Sequence, residues 1–344
     1  MNWSPPLRLA IDGPALVANW RAMARLSGGA ACGAAVKADG YGLGARGVVA
    51  KLAAAGCRDV FVATWGEALA LGAQGVAVAV LHGVRDADMA LTTLPNVRPV
   101  LNTPEQVRRW RDAGGGICDV MVDTGMNRLG VSMDDIAAGL LDGLTIDVLM
   151  SHLACADEDH PLNVRQQAAF ASLAGRTSAR RMSLANSAGI ALGADYAFDL
   201  TRPGLALYGG VPRPELAGVI RTVVRPEAQI LQRRMVRAGE AVGYNATWIA
   251  PVDTAVAIVN LGYADGYWRG FSGQGVARIG DTALPVLGRV SMDLIAIDVS
   301  AAPDLEEGDW VGFDYDLPAA SAASGMSQYE LLTGLGARFE RVWR

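Results

Sequence analysis

The stretch Ala34–Gly44, AAVKADGYGLG, carries a single lysine, Lys37, from a run of small apolar residues directly into a glycine-rich loop. A strand buried on both faces consists of such residues, and an ammonium group at its end is costly to bury unless it is paired or chemically used. Burial lowers the pKa of a lysine and makes its amine a nucleophile toward aldehydes. The pattern therefore indicates a reactive Lys37, although a lysine whose stem packs and whose head reaches water is the plainer alternative.

The loop after Lys37 has the composition of a ligand-binding loop. Its glycines at positions 40, 42 and 44 allow a backbone to approach a ligand closely. The hydroxyl group of Tyr41 is a suitable donor to a phosphate. The stretch thus combines a nucleophilic amine with a phosphate-binding group.

Length, composition and charge limit the classes of protein to which this chain can belong. The chain of 344 residues is long enough for two domains, and its 51% hydrophobic residues and mean hydropathy of +0.23 predict large buried cores. The net charge of −5, with scattered lysines and arginines, argues against a nucleic-acid or anionic-membrane surface and favours small molecules as partners. Residues 1–8 show no basic segment leading into an apolar one, and no uncharged apolar stretch reaches about 18 residues, so a cytoplasmic location is predicted.

Neither the cysteines nor the histidines are clustered; they are Cys32, Cys57, Cys118 and Cys155, and His82, His152 and His160. No C-x-x-C pair occurs, which predicts reduced thiols. The histidines lack the spacing of zinc ligands, so we expect no metal site.

Short apolar runs alternate with longer amphipathic stretches over the first 200 or so residues. The predicted strands are Ala30–Val36, Val60–Thr64, Val76–Leu81, Arg98–Leu101, Ile117–Val122, Ile146–Met150, Met182–Leu184 and Phe198–Leu200. The predicted helices are Ile11–Leu26, Arg46–Ala55, Trp65–Ala73, Pro104–Ala113, Met133–Leu141 and Pro161–Leu173. This alternation favours a (β/α)8 TIM-type barrel over residues 1–216, with a doubly wound open sheet as the alternative.

Polar residues follow the carboxyl ends of five of these strands: Lys37, Asp123 through Arg128, His152, Asn186-Ser187 and Arg202. Active sites form on that face of a parallel barrel, so we expect these residues to converge there. Each has a plainer role when taken alone, such as a helix N-cap for Asn186 or a surface ion pair for Arg202.

Beyond about residue 217, β-branched runs broken by turns replace the helical periodicity. The predicted strands are Arg221–Val224, Ala228–Val236, Thr254–Asn260, Gly275–Ile279, Ile295–Val299 and Trp310–Phe313. Leu317–Gly325 is predicted to be a flexible loop. Residues 217–344 are therefore expected to form a smaller, mainly β domain.

Residues 35–44 resemble the pyridoxal phosphate (PLP) attachment signature of the alanine racemase family. Further segments match that family in the same order: Val122–Gly130, Ser151–Ala154, Ala185–Ala188, Arg202–Gly204, Gly243–Tyr244, Gly262–Gly266 and Ser291–Asp293. These motifs span both predicted domains, which makes the resemblance more specific than any one motif. It implies a PLP-binding barrel followed by a β domain, a homodimer, and interconversion of L- and D-alanine that supplies peptidoglycan synthesis in the cell wall.

The resemblance implies a role for each matching residue. Lys37 would attach PLP and act as one acid/base group, and Tyr244 of the partner subunit would act as the other. Arg128 would hold the ring hydroxyl group on the substrate side, while His152 and Arg202 would join Tyr244 and the pyridine nitrogen in one network. The other implied residues are Tyr41, Asn186, Ser187, Gly204, Leu205 and Tyr329 for the cofactor, and Tyr263 and Met292 for the substrate entrance.

Two positions depart from the family pattern. Members often carry a carbamate-modified lysine seven residues before the arginine matched by Arg128, and here that position is Met121, which cannot become an anion. Another carboxylate, a bound anion or no group at all would then orient Arg128. Asn127 replaces a more usual glycine.

The implied chemistry has a physical rationale. Racemisation needs one proton-transfer group on each face of a planar intermediate, and PLP supplies the electron sink. Because an arginine does not give up its proton, Arg202 beside the pyridine nitrogen would leave that nitrogen unprotonated. The hypothesis is a weaker electron sink that limits transamination.

Two alternatives stay open. A non-catalytic PLP carrier would be a lone barrel without the second domain and without Tyr244. A broad-specificity or serine racemase would share the same fold, and selectivity for the substrate side chain does not follow from the sequence.

Overall fold

The protein is described here by a computed structural model that covers residues 4–344. Part of the N-terminal segment from which the cytoplasmic location was predicted, residues 1–3, lies outside the described residues. Two compact units make up the chain. The barrel unit holds Leu16–Leu207 and Val211–Arg221, and the β unit holds the segment ending at Ala15, Tyr208–Gly210 and Thr222–Arg344.

The strands, in chain order, are β1 (Leu7–Ile11), β2 (Ala31–Cys32), β3 (Ala34–Ala35), β4 (Asp59–Val62), β5 (Ala77–Val80), β6 (Val97–Leu101), β7 (Cys118–Met121), β8 (Ile146–Met150), β9 (Arg181–Ser183), β10 (Leu200–Thr201), β11 (Val224–Val236), β12 (Ala241–Val242), β13 (Trp248–Ile249), β14 (Thr254–Val259), β15 (Val276–Ile279), β16 (Thr282–Leu287), β17 (Ile295–Asp298), β18 (Trp310–Phe313) and β19 (Glu340–Trp343). The helices are α1 (Gly13–Leu26), α2 (Lys37–Tyr41), α3 (Ala45–Ala55), α4 (Trp65–Leu71), α5 (Pro104–Asp112), α6 (Met133–Ala137), α7 (Pro161–Ala171), α8 (Ser187–Ala191), α9 (Leu317–Ser324) and α10 (Gln328–Thr333). Across residues 4–344, no helix has both the length and the apolar character needed to cross a bilayer.

The barrel unit is a closed sheet of parallel strands. Strands β3 to β9 pair in chain order, each parallel to the next. β10 pairs with β2, and amides of Asp199 and Arg202 donate to carbonyls of Met182 and Ala185, which places β10 beside β9. The sheet therefore closes on itself, which confirms the predicted barrel and excludes the open doubly wound sheet.

Successive side chains of a strand point to opposite faces of the sheet, so the barrel unit has two apolar layers, one inside the barrel and one outside it. The interior cluster consists of strand residues only: Phe61, Ala79, Val100, Met121, Val148, Met150 and Leu200. The outer cluster packs the opposite faces of the strands against helices and includes Trp110 of α5 and Phe170 of α7. Met121 is thus an interior core residue.

Five charged side chains interlock at the end of the barrel opposite Lys37: Asp59, Arg98, Asp119, Asp147 and Arg181. Arg98 donates to Asp119 at 2.7 Å and lies 3.0 Å from Asp147. Arg181 donates to both oxygens of Asp59, at 2.8 and 3.0 Å. Each residue is the first or second of its strand, so these side chains, here named the charged plug, fill the amino-terminal end of the barrel.

The β unit is built on a closed ring of six antiparallel strands in the order β14-β17-β16-β15-β18-β11, with β11 returning to β14. β11 has 13 residues and pairs with β1 and β18 along its first half and with β14 along its second. A register shift between Ile230 and Gln232 accompanies this change of partner. β1 lies within residues 1–216, the predicted extent of the barrel, but it joins this sheet because it pairs with β11 and β19.

The predicted flexible loop at Leu317–Gly325 is wrong, because this segment forms α9. Asp316 caps the helix by accepting from the amide of Ala319. A proline occupies the first turn, and Gly325 ends the helix with φ of +73°. Proline and glycine act here as the boundaries of a helix, and not as signals for a loop.

Candidate active site

Lys37 lies two residues after the end of β3 and begins α2, whose backbone is a strained left-handed turn and not a regular right-handed helix. The five residues that follow it all have positive φ: Ala38 (52°), Asp39 (51°), Gly40 (64°), Tyr41 (54°) and Gly42 (85°). This conformation costs roughly 1–2 kcal/mol for each residue that carries a Cβ. Such strain persists only where the surrounding structure enforces it, and it is concentrated at functional sites.

The turn is held by its own backbone and by two carboxylates. The amide of Gly40 donates to Val36 at 2.8 Å, and the amide of Gly42 donates to Ala38 at 2.9 Å. Asp39 accepts from the amide of Ala45 at 2.8 Å, which ties the turn to the start of α3. Glu67 accepts from the amide of Ala38, also at 2.8 Å. The backbone that presents Lys37 is therefore fixed from both sides.

The surroundings of Lys37 favour its neutral amine. Burial lowers the pKa of Lys37, and the positive charge of Arg128 lowers it further, while Glu67 opposes both effects. The direction of this pKa shift agrees with the prediction made for a lysine at the end of a buried strand. A neutral amine is the form that attacks an aldehyde.

Arg202 is a buried cation at the end of β10. Its guanidinium donates to the hydroxyl of Ser183 and, at 2.6 Å, to the carbonyl of Ser151. Burial lowers the pKa of Arg202 to about 10, so the group stays charged at neutral pH. It makes no ion pair with any residue in the range 4–344, which leaves its charge available to a ligand.

His152 is neutral. Burial, and then the charges of Arg202, Arg128 and Lys37, lower the pKa of His152 to about 3. No hydrogen bond joins the side chains of His152 and Arg202 among the residues that the structure describes. The two groups are therefore coupled through charge, and His152 adds no positive charge to the site.

Hydroxyl and amide groups gather beside the turn. Ser187, the first residue of α8, accepts from the amides of Gly204 and Ala206 at 2.9 and 3.2 Å. A Cβ at Gly204 would lie 2.3 Å from the hydroxyl oxygen of Tyr41, so only glycine allows the phenol to approach this closely. Leu205, the next residue, begins a short 3-10 helix. Asn186 accepts from the amide of Gly189 at 2.8 Å, which confirms its plainer role as the N-cap of α8.

The loop that carries Arg128 is ordered by Asp123. One carboxylate oxygen of Asp123 accepts from the amides of Gly125, Met126 and Asn127 at 2.9, 3.0 and 3.1 Å. Asn127 has φ of +54°, a conformation that asparagine adopts more readily than most residues, which explains how it replaces glycine. Arg128 itself is exposed and makes no hydrogen bond or ion pair within residues 4–344. Its backbone is thus fixed while its side chain is free to meet a ligand.

Gln166, a fully buried residue of α7, is not among the site residues predicted from the sequence. Its amide group donates to the carbonyl of His152 at 2.9 Å and to the hydroxyl of Thr124 at 3.3 Å, and its oxygen accepts from Ala154 at 2.9 Å. It joins the end of β8 to the loop of Arg128. Its position within α7 offers no sequence signal, because only the fold brings these backbone groups to it.

The remaining predicted residues lie on the β unit. Tyr244 sits in the short turn between β12 and β13 with 68% of its surface exposed. It lines a cleft of about 370 Å³ together with Arg289, Ser291 and Leu294. The amide of Tyr263 donates to the carbonyl of Ser291, the residue before the exposed Met292, so Tyr263 and Met292 belong to adjoining loops. Tyr329 is half-exposed on α10.

The residues of the barrel unit fit PLP. Lys37 offers an amine to its aldehyde, and the hydroxyl groups of Ser187 and Tyr41, which lie beside Gly204, suit its phosphate. Arg128 and Arg202 are cations without an ion-pair partner in the described part of the chain, which suits an anionic cofactor and a carboxylate substrate.

Comparison with known proteins matches nearly the whole chain to one family. The family of alanine racemase N-terminal domains matches residues 11–212, and the family of C-terminal domains matches residues 223–343. The chain belongs to the alanine racemase family. An alanine racemase of Acidiphilium cryptum is 43% identical over 349 residues, covering 97% of this chain and 98% of the relative. An alanine racemase of Rhodospirillum rubrum is 42% identical over 353 residues, covering 97% and 94% of the two chains.

A solved alanine racemase structure shares the fold. The enzyme of Bartonella henselae, with covalently bound pyridoxal phosphate, superposes with a TM-score of 0.88 at 33% identity, covering 99% of this chain and 100% of that one. The resemblance to the alanine racemase family found in the sequence is thus confirmed, and with it the fold class of a parallel barrel plus an antiparallel β domain.

Proposed function

We propose that this protein interconverts L-alanine and D-alanine and attaches PLP at Lys37. The observation that carries the proposal is the amine of Lys37, with its lowered pKa, held by a strained turn whose Tyr41 hydroxyl lies beside Gly204 and Ser187. PLP, when bound, supplies the electron sink that makes the α-proton of an amino acid acidic. Family membership supports the same activity.

The residues of this chain divide the remaining work. Lys37 takes or returns the α-proton on one face, and Tyr244 does so on the other. Arg202 remains charged at neutral pH and neither takes nor gives a proton. Arg128, with its unpaired guanidinium, holds an anionic oxygen of the bound molecules, while Tyr263 and Met292 shape the entrance. Tyr41, Asn186, Leu205 and Tyr329 complete the cofactor site, with His152 as a neutral neighbour of Arg202.

The proposal includes a homodimer in which Tyr244 of the partner subunit completes each site. The exposed side chains of Tyr244 (68%) and Leu294 (39%) support it, because they line the same cleft and clustered exposed apolar side chains mark interaction surfaces. A cytoplasmic location and a supply of D-alanine to peptidoglycan are also part of the proposal.

Mixing two inactive variants tests the shared site. Lys37→Ala and Tyr244→Phe homodimers each carry one lesion in every site, and we expect both to be nearly inactive. In a hybrid dimer one site collects both lesions and the other is intact. Random reassortment of equal amounts makes about half the dimers hybrid, so activity is expected to recover to roughly a quarter of the parental value. Recovery of no activity, with exchange demonstrated by differently tagged chains, would contradict the shared site while leaving PLP attachment untouched.

An assay over a panel of amino acids tests the substrate. The purified protein, supplied with PLP, is incubated with L-alanine, L-serine and larger L-amino acids, and the D-enantiomers are measured by chiral chromatography. The fastest turnover is expected with alanine. Faster turnover of serine, or comparable rates across the panel, would replace the proposal by a serine or broad-specificity racemase. Binding of PLP with no turnover of any amino acid would favour a PLP carrier.

A further inference from the structure

Glu67 accepts hydrogen bonds that its position in the sequence does not predict. It lies three residues after Thr64, the N-cap of α4, and this T-x-x-E spacing is that of a capping box. Thr64 does accept from the amide of Glu67, at 3.2 Å. The carboxylate of Glu67 does not return to Thr64, however. Its two oxygens accept from the amides of Ala38 and Ala63, at 2.8 and 2.6 Å.

The bond to Ala38 acts at the first residue of the left-handed turn. The later amides of that turn, at Gly40 and Gly42, have acceptors inside the turn or directly before it. The amide of Ala38 comes too early in the turn to have an acceptor within it, and it donates to the carboxylate of Glu67 instead. Because a left-handed residue with a Cβ is strained, an outside acceptor at this point holds the backbone immediately after Lys37.

We propose that Glu67 is a positioning residue for Lys37. The carboxylate of Glu67 clamps the turn at Ala38 to Ala63, the residue directly after β4, and so fixes the direction in which the amine of Lys37 leaves the backbone. This inference rests on the proposed function for its meaning, since it concerns the lysine that attaches PLP. The negative charge of Glu67 also favours the protonated amine, against the effects of burial and of Arg128 on the pKa of Lys37.

The protein without PLP offers a direct test, because Lys37 and Lys51 are the only lysines in the chain. Reductive methylation with ¹³C-formaldehyde therefore yields two side-chain amine signals in an NMR titration, and Lys51 serves as an internal reference. In Glu67→Gln the side chain keeps its size but loses its charge and one of its two acceptor oxygens. We expect the pKa of Lys37 to fall while that of Lys51 stays constant. We also expect hydrogen exchange at the amide of Ala38 or Ala63 to rise at least about tenfold.

Glu105→Gln is the matched control. Glu105 also lies in the first turn of a barrel helix, α5, but it is exposed and, within residues 4–344, pairs only with Arg108 and Arg109. Neither the pKa of Lys37 nor the exchange of the two amides is expected to change. In the racemase assay, Glu67→Gln is expected to lower kcat at least about tenfold with a smaller change in KM, because orientation of the lysine affects the transition state more than binding.

The outcomes separate the two proposals. Unchanged exchange at both amides together with an unchanged pKa of Lys37 in folded Glu67→Gln would overturn the positioning role, whatever the racemase assay shows. A shifted pKa and faster exchange in a protein that racemises nothing would support the clamp and sink the proposed function. If Glu67→Gln does not fold, Glu67→Asp keeps the charge but is too short to reach both amides. Faster exchange with a nearly constant pKa supports the clamp in that variant, and unchanged exchange overturns it.

Discussion

Replacing Lys37 by alanine is expected to lower the rate of alanine racemisation by at least about 10⁴-fold and to abolish covalent attachment of PLP. Loss of a single acid/base group costs about 10²–10⁴-fold, and this variant also loses the amine that attaches the cofactor. The rate is measured in both directions by chiral chromatography. Attachment is measured by borohydride reduction followed by mass spectrometry of the peptide that contains residue 37.

Lys51→Ala is the control for this experiment, since it removes the only other lysine of the chain, on α3. It should retain parental activity and attach PLP to Lys37. Borohydride labelling at Lys51, or a Lys37→Ala variant that keeps a tenth of the parental rate, would remove the basis of the proposed function.

Replacing Arg98 by methionine is expected to lower the free energy of unfolding by about 3–5 kcal/mol. Arg98 is the cation that faces Asp119 and Asp147 in the charged plug, with 11% of its side chain exposed. Methionine fills a similar volume but leaves buried carboxylates uncompensated, and that is the costly way to break a buried ion pair. Urea denaturation followed by circular dichroism measures the loss.

Acidification should reduce the loss of unfolding free energy in the Arg98→Met variant. Burial raises the pKa of Asp119 to about 6 even though Arg98 lowers it, so removal of Arg98 raises it further. A carboxyl group with a raised pKa in the folded state favours folding at low pH and opposes it as the pH rises through that pKa. The difference in stability between the variant and the parent is therefore expected to shrink as the pH falls from about 7 to about 5.

Arg108→Met tests whether burial causes the effect. Arg108 is exposed on α5 and pairs with the equally exposed Glu105, a geometry that contributes about 0–1 kcal/mol. Its loss should change the unfolding free energy by less than about 0.5 kcal/mol. Equal losses in the two variants, or a deficit at Arg98 that does not respond to pH, would show that the charged plug contributes nothing beyond surface pairing.

The amino-acid sequence by itself favoured a barrel over an open sheet, and it indicated the second domain and the polar residues at the ends of the strands. Strand and helix periods are local properties, and a parallel sheet places the carboxyl ends of its strands together, so Lys37, His152 and Arg202 could be assigned to one face. The family resemblance added PLP and the racemase activity. The resemblance also singled out Asn127, whose positive φ in the structure explains the exchange with glycine.

Only the tertiary structure decided what long-range contacts control. The strand β1 joins the β unit because it pairs with β11 and β19. Both partners lie more than 200 residues away in the sequence, so no local pattern indicates the pairing. The first amide of the left-handed turn after Lys37 donates to Glu67, a residue of another element. The sequence predicted Arg98 only as the first residue of a strand, and the closed sheet brings it to three carboxylates. In each case local preference is outweighed by hydrogen bonds and charges that meet only after the chain has folded.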